Sequence, residues 1–383
     1  MASSESETAG GSGGHTPMAG IGCFMSPQDA HCLQSACSCL RELPPPSCQA
    51  FAPAIILPTV AVRRELRYPV LPLTAGGVCD EQFRHLAGYR SLSRDHDLQE
   101  TQGNPALASG MVTNFRLRYH HGYRPTEAVR EELRDESVIF LGDLHMHFGH
   151  TLTDSLVRLW HVLRTPEDRS RLVMLRHAIW DWKLCDLSTS YHQELLRLLG
   201  IGWERLMIVE HPTRFARVIV PGQAAFWDDG ACCREALRGI YEAAVSRISP
   251  RHGGRLYLSR RGWHDQVAGE EYFEDYFAAR GFDIIRPEQL PLEEQLARVA
   301  GAEVLAAPLG TLSHLALFAR DGTRIIHLLR HKAQFNLRQL LIDSLRGLDS
   351  VYIDTAAPDT RFRHEGMEPT THWQTFAASG WLT

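Results

Sequence analysis

Between residues 137 and 346, short apolar runs rich in β-branched residues alternate with amphipathic stretches, and this alternation leaves few folds open. The runs at 137–142 ("SVIFLG"), 171–175 ("RLVML"), 205–209 ("RLMIV") and 217–220 ("RVIV") are too short for helices and read as strands. Between them, "TDSLVRLWHVLRT" sets Leu156, Leu159, Trp160 and Leu163 on one helical face, and "SYHQELLRLLGI" has the same periodicity. "PGQAAFWDDGACC" reads as a connection and "REALRGIYEAAVSRI" as a linking helix. The second half is more regular, with strands at 255–258, 283–286, 303–306 and 324–328 and helices at 268–280, 291–300, 311–319 and 334–346. Strand and helix in strict turn is the βαβ pattern of parallel sheets covered by helices. The expected class is α/β, with two Rossmann-like doubly wound units facing a cleft, because open parallel sheets bind ligands beyond the carboxyl ends of their strands.

The rest of the chain fits around these units. Residues 1–50, rich in Gly, Ser, Pro and Cys and ending in "LPPPSCQ", read as a flexible extension with too little apolar surface to offset the entropy of ordering. The first unit is expected over 51–228 and the second over 229–335. Residues 336–383 are expected as a closing helix and a tail, "HWQTFAASGWL", that pack back across the first unit.

Composition excludes several function classes. The formal net charge of −5 gives no basic surface for nucleic acid, and the basic residues are nearly all arginine, read mostly as solvated surface. The opening residues have neither the positive start nor the apolar stretch of a secretory signal, and "FAPAIILPTVAV" is short and interrupted by prolines. The expected location is therefore cytoplasmic, with no membrane span. Five of the nine cysteines fall in the first fifty residues, but their spacing does not repeat a zinc module. The other four, Cys79, Cys185, Cys232 and Cys233, read as small buried hydrophobes. Among the tryptophans, Trp180 and Trp182 are candidates for stacking on a sugar ring.

The chemistry concentrates in two places. "LGDLHMHFGHTLTD" (141–154) follows the first strong strand and runs into a helix that Thr151 or Thr153 could cap. His150 and Asp154 are four residues apart, so on a helix they share a face, and a carboxylate there holds an imidazole in one tautomer as a general base. The same pair could simply satisfy a turn. A rival reading takes His145 and His147 as the H-x-H of a zinc amidohydrolase, which requires a closed eight-stranded barrel. The second place begins with Arg260 and Arg261 after strand 255–258, positioned to meet a phosphate. It continues in the turn Pro308-Leu309-Gly310-Thr311, whose helix start would favour an anionic diphosphate.

Taken together, these residues resemble glycosyltransferase family 61. The match runs through His150 and Asp154; Ser259, Arg260 and Arg261; Gly281 and Phe282; Glu294 and Gln295; and Gly301, Ala302, Val304, Pro308 and Gly310. The resemblance implies a GT-B fold and metal-independent, inverting transfer from a nucleotide sugar to a hydroxyl of a glycan, glycolipid or protein, as in polysaccharide biosynthesis. It puts His150 and Asp154 in the catalytic role, with His147 on the acceptor side. The donor falls to Arg260, Arg261, Glu294, Gln295, Pro308, Gly310, Thr311 and His314, with Glu294 suited to a ribose hydroxyl. It requires no cofactor and leaves room for peripheral membrane association. The chain departs from the family pattern at His147, Leu309, Leu315 and Gly269, which keeps an inactive sugar- or nucleotide-binding relative as an alternative.

Overall fold

The computed structural model describes residues 21–58, 60–61, 70–74, 76–90, 116–120, 128–176, 190–262, 267–331, 335, 337–358, 360 and 365–382. The chain opens with β1 (Ile21–Phe24), α1 (Pro27–Ser38), β2 (Arg41–Glu42), β3 (Cys48–Phe51), β4 (Ala54–Leu57) and β5 (Val60–Ala61). It continues through β6 (Val70–Thr74), β7 (Gly77–Cys79), β8 (His85–Arg90) and β9 (Arg116–His120). The first parallel run comprises β10 (Arg130–Leu144), α2 (Phe148–Thr153), α3 (Leu159–Arg164), β11 (Arg171–Arg176), α4 (Tyr191–Leu198), β12 (Leu206–Val209) and β13 (Thr213–Pro221). A connection with β14 (Ala225–Phe226) and β15 (Ala231–Cys232) leads into α5 (Arg234–Val245). The second run is β16 (Gly254–Leu258), α6 (Glu270–Ala278), β17 (Asp283–Ile285), α7 (Leu292–Gly301), β18 (Ala302–Pro308), β19 (Arg324–Leu329), α8 (Leu337–Arg346), β20 (Asp349–Asp354) and α9 (Thr371–Ala378).

The fold is α/β, built on two large open sheets. One has the order β12-β11-β10-β13-β4-β7-β8, the other β1-β20-β19-β18-β16-β17. Every pairing in the second sheet is parallel. The first is mixed: β10 to β13 pair in parallel, whereas β3, β4, β7 and β8 add antiparallel strands. Neither sheet closes into the barrel the amidohydrolase reading requires.

Alternation along each strand explains the layering. In β10, Ile139 and Leu141 face one cluster while Val138 and Phe140 face another. In the second sheet Leu256, Leu258, Leu305 and Ala307 look into that same first cluster, and Tyr257, Val304 and Ala306 look to the far side. One continuous apolar cluster therefore lies between the sheets, with the helices α3, α4, α5, α7 and α8 filling it. Each fully buried Leu or Ile in it contributes on the order of 2 kcal/mol.

Three sequence expectations change. Residues 21–50, expected as flexible, carry β1, α1, β2 and most of β3: Leu33 and Leu40 bury into the inter-sheet cluster and Ser26 caps α1 through the Asp29 amide. Residues 1–20 lie outside the described residues. The tail does not pack on the first unit: Trp373 and Phe376 of α9 bury against β1 and β20 on the outer face of the second sheet. Within the described closing segment, α8 reaches back to the first unit, packing on residues 227–229. The 311–319 helix is a 3-10 helix, Thr311–Phe318, started by a reciprocal bond in which Ser313 Oγ receives the Gly310 amide while the Ser313 amide donates to the Gly310 carbonyl. Trp180, Trp182 and Cys185 lie outside the described residues. No described helix is long and apolar enough to cross a membrane.

Candidate active site

The histidine-rich stretch forms a short loop and helix at the carboxyl end of β10. The expected caps do other work: His147 occupies the N-cap without a side-chain capping bond, Thr151 Oγ1 donates to the His145 carbonyl (2.6 Å) and Thr153 Oγ1 to the Gly149 carbonyl (2.8 Å). Two residues of α4 hold the loop from outside, His192 Nε2 on the His145 carbonyl (2.8 Å) and Tyr191 Oη on the Met146 carbonyl (2.7 Å).

On this base, His150 and Asp154 meet as the spacing predicts, Nδ1 to Oδ2 at 2.6 Å. The imidazole side chain keeps 32% of its surface exposed and the carboxylate only 4%. Burial would raise the Asp154 carboxyl, but the Arg338 guanidinium and the His150 hydrogen bond outweigh it and hold it well below the usual range. Asp154 is thus an anion, so His150 Nδ1–H is the donor and Nε2 is the ring atom left to take a proton.

The carboxyl end of the second sheet comes to the same place. Gly149 lies so near the Pro308 turn that a Cβ there would stand 2.9 Å from His314 Nδ1 and 3.1 Å from Thr311 Cγ2, so the close approach requires glycine. His147 lies with its ring centroid 5.1 Å from that of His150, within the field of Arg260 from the end of β16. Burial first, then the positive neighbours His150, Arg260 and Arg338, push His147 down to about 4. Burial and the same surroundings hold His314 well below the usual histidine range. His147, His150, Asp154, Arg260, Gly310, Thr311 and His314 therefore form one group.

Other expected residues are not brought there. Arg261 turns outward to Glu274 (3.1 Å). Glu294 pairs with Arg251 (2.6 Å) and Arg298 (2.6 Å), which line a hollow of about 600 Å³ at the amino ends of the second sheet's strands. Gln295 is buried and donates to the Leu290 carbonyl (2.9 Å). The free amides at the start of α7 are filled by Glu194 from α4, which accepts from Leu292 N (3.1 Å) and Glu293 N (2.9 Å). Leu309 and Leu315 are core residues. Gly269 has φ +80°, and a Cβ would collide with the Met367 carbonyl oxygen, so no asparagine fits there. As for the zinc alternative, no group of three His, Cys, Asp or Glu among the described residues is arranged to hold a metal ion.

Sequence reading missed three contributors. Arg338 of α8, 2% exposed, places Nη1 2.6 Å from Asp154 Oδ2, also donates to Thr153 Oγ1, and places Nη2 3.3 Å from Asp228 Oδ1. Arg330, at the end of β19 and paired with Glu365 (2.6 Å), lies against the turn, its Nη2 2.5 Å from where a Gly310 Cβ would be. Glu270 is buried beneath the β16 end, where Oε1 accepts the Arg260 amide (2.8 Å) and burial pushes the carboxyl up to about 7. In a chain this rich in arginine nothing in the local sequence marks Arg338 or Arg330. Glu270, in the helix start after Arg260 and Arg261, could have been found by position.

An α/β protein with an imidazole–carboxylate pair facing a cationic strand end has the groups a group transfer from an anionic leaving group requires. The family model for Glycosyltransferase 61 matches residues 148–326, from α2 into β19. The matched region, which holds nearly all of this group, is therefore similar to glycosyltransferase family 61, and that similarity supports a glycosyltransferase working between a sugar donor and an acceptor. No curated protein matches the chain.

Proposed function

We propose that the protein is an inverting glycosyltransferase of GT-B type whose two α/β units, about 51–228 and 229–335, take acceptor and nucleotide-sugar donor respectively. The observation that carries this reading is the 2.6 Å contact of His150 Nδ1 with a buried, anionic Asp154 beside the Pro308–Thr311 turn. In the reaction His150 Nε2 takes the acceptor hydroxyl proton while that oxygen attacks the anomeric carbon. The bond from that carbon to the diphosphate oxygen breaks on the opposite face, and its electron pair leaves with the nucleoside diphosphate. Arg260, Arg330 and the Thr311 and Leu312 amides meet the charge that develops there. His147 and His314, neutral near pH 7, are contacts for sugar or acceptor hydroxyls. The scheme uses no metal, and chelator treatment is expected to leave the rate unchanged.

A general base of this kind contributes about 10²- to 10⁴-fold. Transfer from a panel of nucleotide sugars, assayed on wild type, His150→Ala and Asp154→Ala, is expected to fall by that factor in both variants. Equal turnover in all three removes the assignment. A panel of nucleoside diphosphates in a thermal-shift assay identifies the donor nucleotide, since a ligand that binds only the native state raises its stability with occupancy.

A further inference from the structure

Arg338 lies outside the family-matched segment, yet it reaches the centre of the site. The oxygen it touches, Asp154 Oδ2, is the one that accepts the His150 Nδ1 proton. His150, Asp154 and Asp228 belong to the first unit, whereas Arg338 arrives on α8, which packs on the 3-10 helix Thr311–Phe318 and is bonded to β19 and β20 of the second sheet.

What holds α8 is a second buried carboxylate. Asp343, fully buried, accepts on Oδ2 from His327 Nε2 of β19 (2.9 Å) and from Tyr352 Oη of β20 (2.8 Å), and on Oδ1 from Gln339 Nε2 (2.9 Å). Apolar side chains in place of the whole group could fill that volume at little loss of stability, because burying a charge costs several kcal/mol before its partners repay it. Directional bonds give something packing does not, a fixed rotation and height for the helix. Arg338 and Asp343 are five residues apart, about 7.5 Å along the axis, so a helix pinned at one presents the other rigidly.

We propose that Arg338 is a positioning residue for the His150–Asp154 pair, delivered across the two units by α8, and that the Asp343 junction sets its reach. The proposal rests on His150 being the base. The guanidinium keeps the carboxylate charged and, through Thr153 and Asp228, holds its rotamer. The other titratable groups bearing on Asp154 are His145, His147 and His150 from its own loop and helix, His314 from the 3-10 turn, and Tyr241 from α5. Of these, His147 and His314 are held below the usual histidine range and Tyr241 well above its own, while the Arg338 guanidinium supplies the permanent positive charge.

Arg338→Met, Arg338→Lys and Asp343→Asn in the full chain test this by three readouts: rate against pH, the thermal midpoint, and the titration of His150 followed by ¹⁵N-histidine NMR. With the cation gone, burial raises the Asp154 carboxyl. The acid limb of kcat is then expected to move up by about one pH unit, kcat to fall about 10- to 100-fold, and the donor KM to stay within about twofold. Arg338→Lys restores the charge without the fork and recovers part of the rate. Asp343→Asn shifts the profile the same way by less. A loss of rate that only tracks the folded fraction, with the pH profile unchanged, overturns the proposal. So does a His150 titration identical in wild type and Arg338→Met. That NMR result stands even if His150→Ala retains full activity, in which case it is the base reading that fails.

Discussion

Two buried aspartates each hold a histidine, and they differ in what surrounds the ring. The His150–Asp154 pair stands at the carboxyl end of β10 with its imidazole side chain 32% exposed; the His327–Asp343 pair lies inside the second unit with both side chains sealed, at 0% and 1%. Contact distances barely separate them, 2.6 Å against 2.9 Å. Access does: a hydroxyl can reach the first ring, and nothing can reach the second. An imidazole–carboxylate pair is therefore not a site by its own geometry. It becomes one when a ring nitrogen faces a space a substrate can enter, and otherwise it is a joint.

The largest effect that could break this distinction is on rate. His150→Ala should lower transfer by about 10²- to 10⁴-fold while the thermal midpoint moves by no more than a few degrees. His327→Ala should do the reverse, keeping most activity per folded molecule while losing stability; a catalytic collapse in His327→Ala with an unchanged midpoint would erase the comparison. Next is Asp343→Ala, which leaves His327 Nε2, Tyr352 Oη and Gln339 Nε2 without their acceptor. At about 1–3 kcal/mol for each buried group left unsatisfied, urea unfolding should register a loss of at least about 3 kcal/mol.

The exposed pair should also make the protein acid-sensitive through its neighbour. His147 is held down to about 4, so below the ordinary histidine value near 6.5 the unfolded chain takes up a proton that the folded one refuses. Stability should fall as pH drops from about 6.5 to about 4, by roughly 3 kcal/mol, and His147→Asn should flatten that slope in urea titrations at the two ends. The smallest effect belongs to the sealed pair: Gln339→Leu removes one donor to Asp343 together with a buried, unpartnered Oε1, and should change stability by less than about 1 kcal/mol.

How legible this was in the sequence follows from the same contrast. The parallel strands and helices of 137–346 were readable because each β-branched run and each amphipathic face is encoded locally. His150 and Asp154 were readable because four residues on a helix is a local distance. The antiparallel strands β3, β4, β7 and β8 were not, because β3 and β4 pair with β13 far along the chain, β7 and β8 extend that edge, and short runs among prolines carry no signal of pairing. Nor was Arg338, whose partner Asp154 lies in another unit, or the outward turn of Glu294 toward Arg251. The family pattern located the carboxyl end of the second sheet beside the His150–Asp154 pair through Arg260 and Gly310, but Arg261 and Glu294 show that a motif residue can serve the scaffold instead.

β1 sets the order in which the molecule can be completed. Ile21 pairs with Ser350 and Phe24 with Ile353, so the first described strand forms an edge of a sheet whose adjacent strand lies more than 300 residues further along the chain. A loop of this length costs about 5 kcal/mol to close and slows the step that closes it. On a ribosome, β1 and α1 must wait until α8 and β20 have been made before they can dock there. Until then the β20 edge and the face of α8 that α1 covers stay open, and a chaperone acting on this protein would find its longest-lived target there.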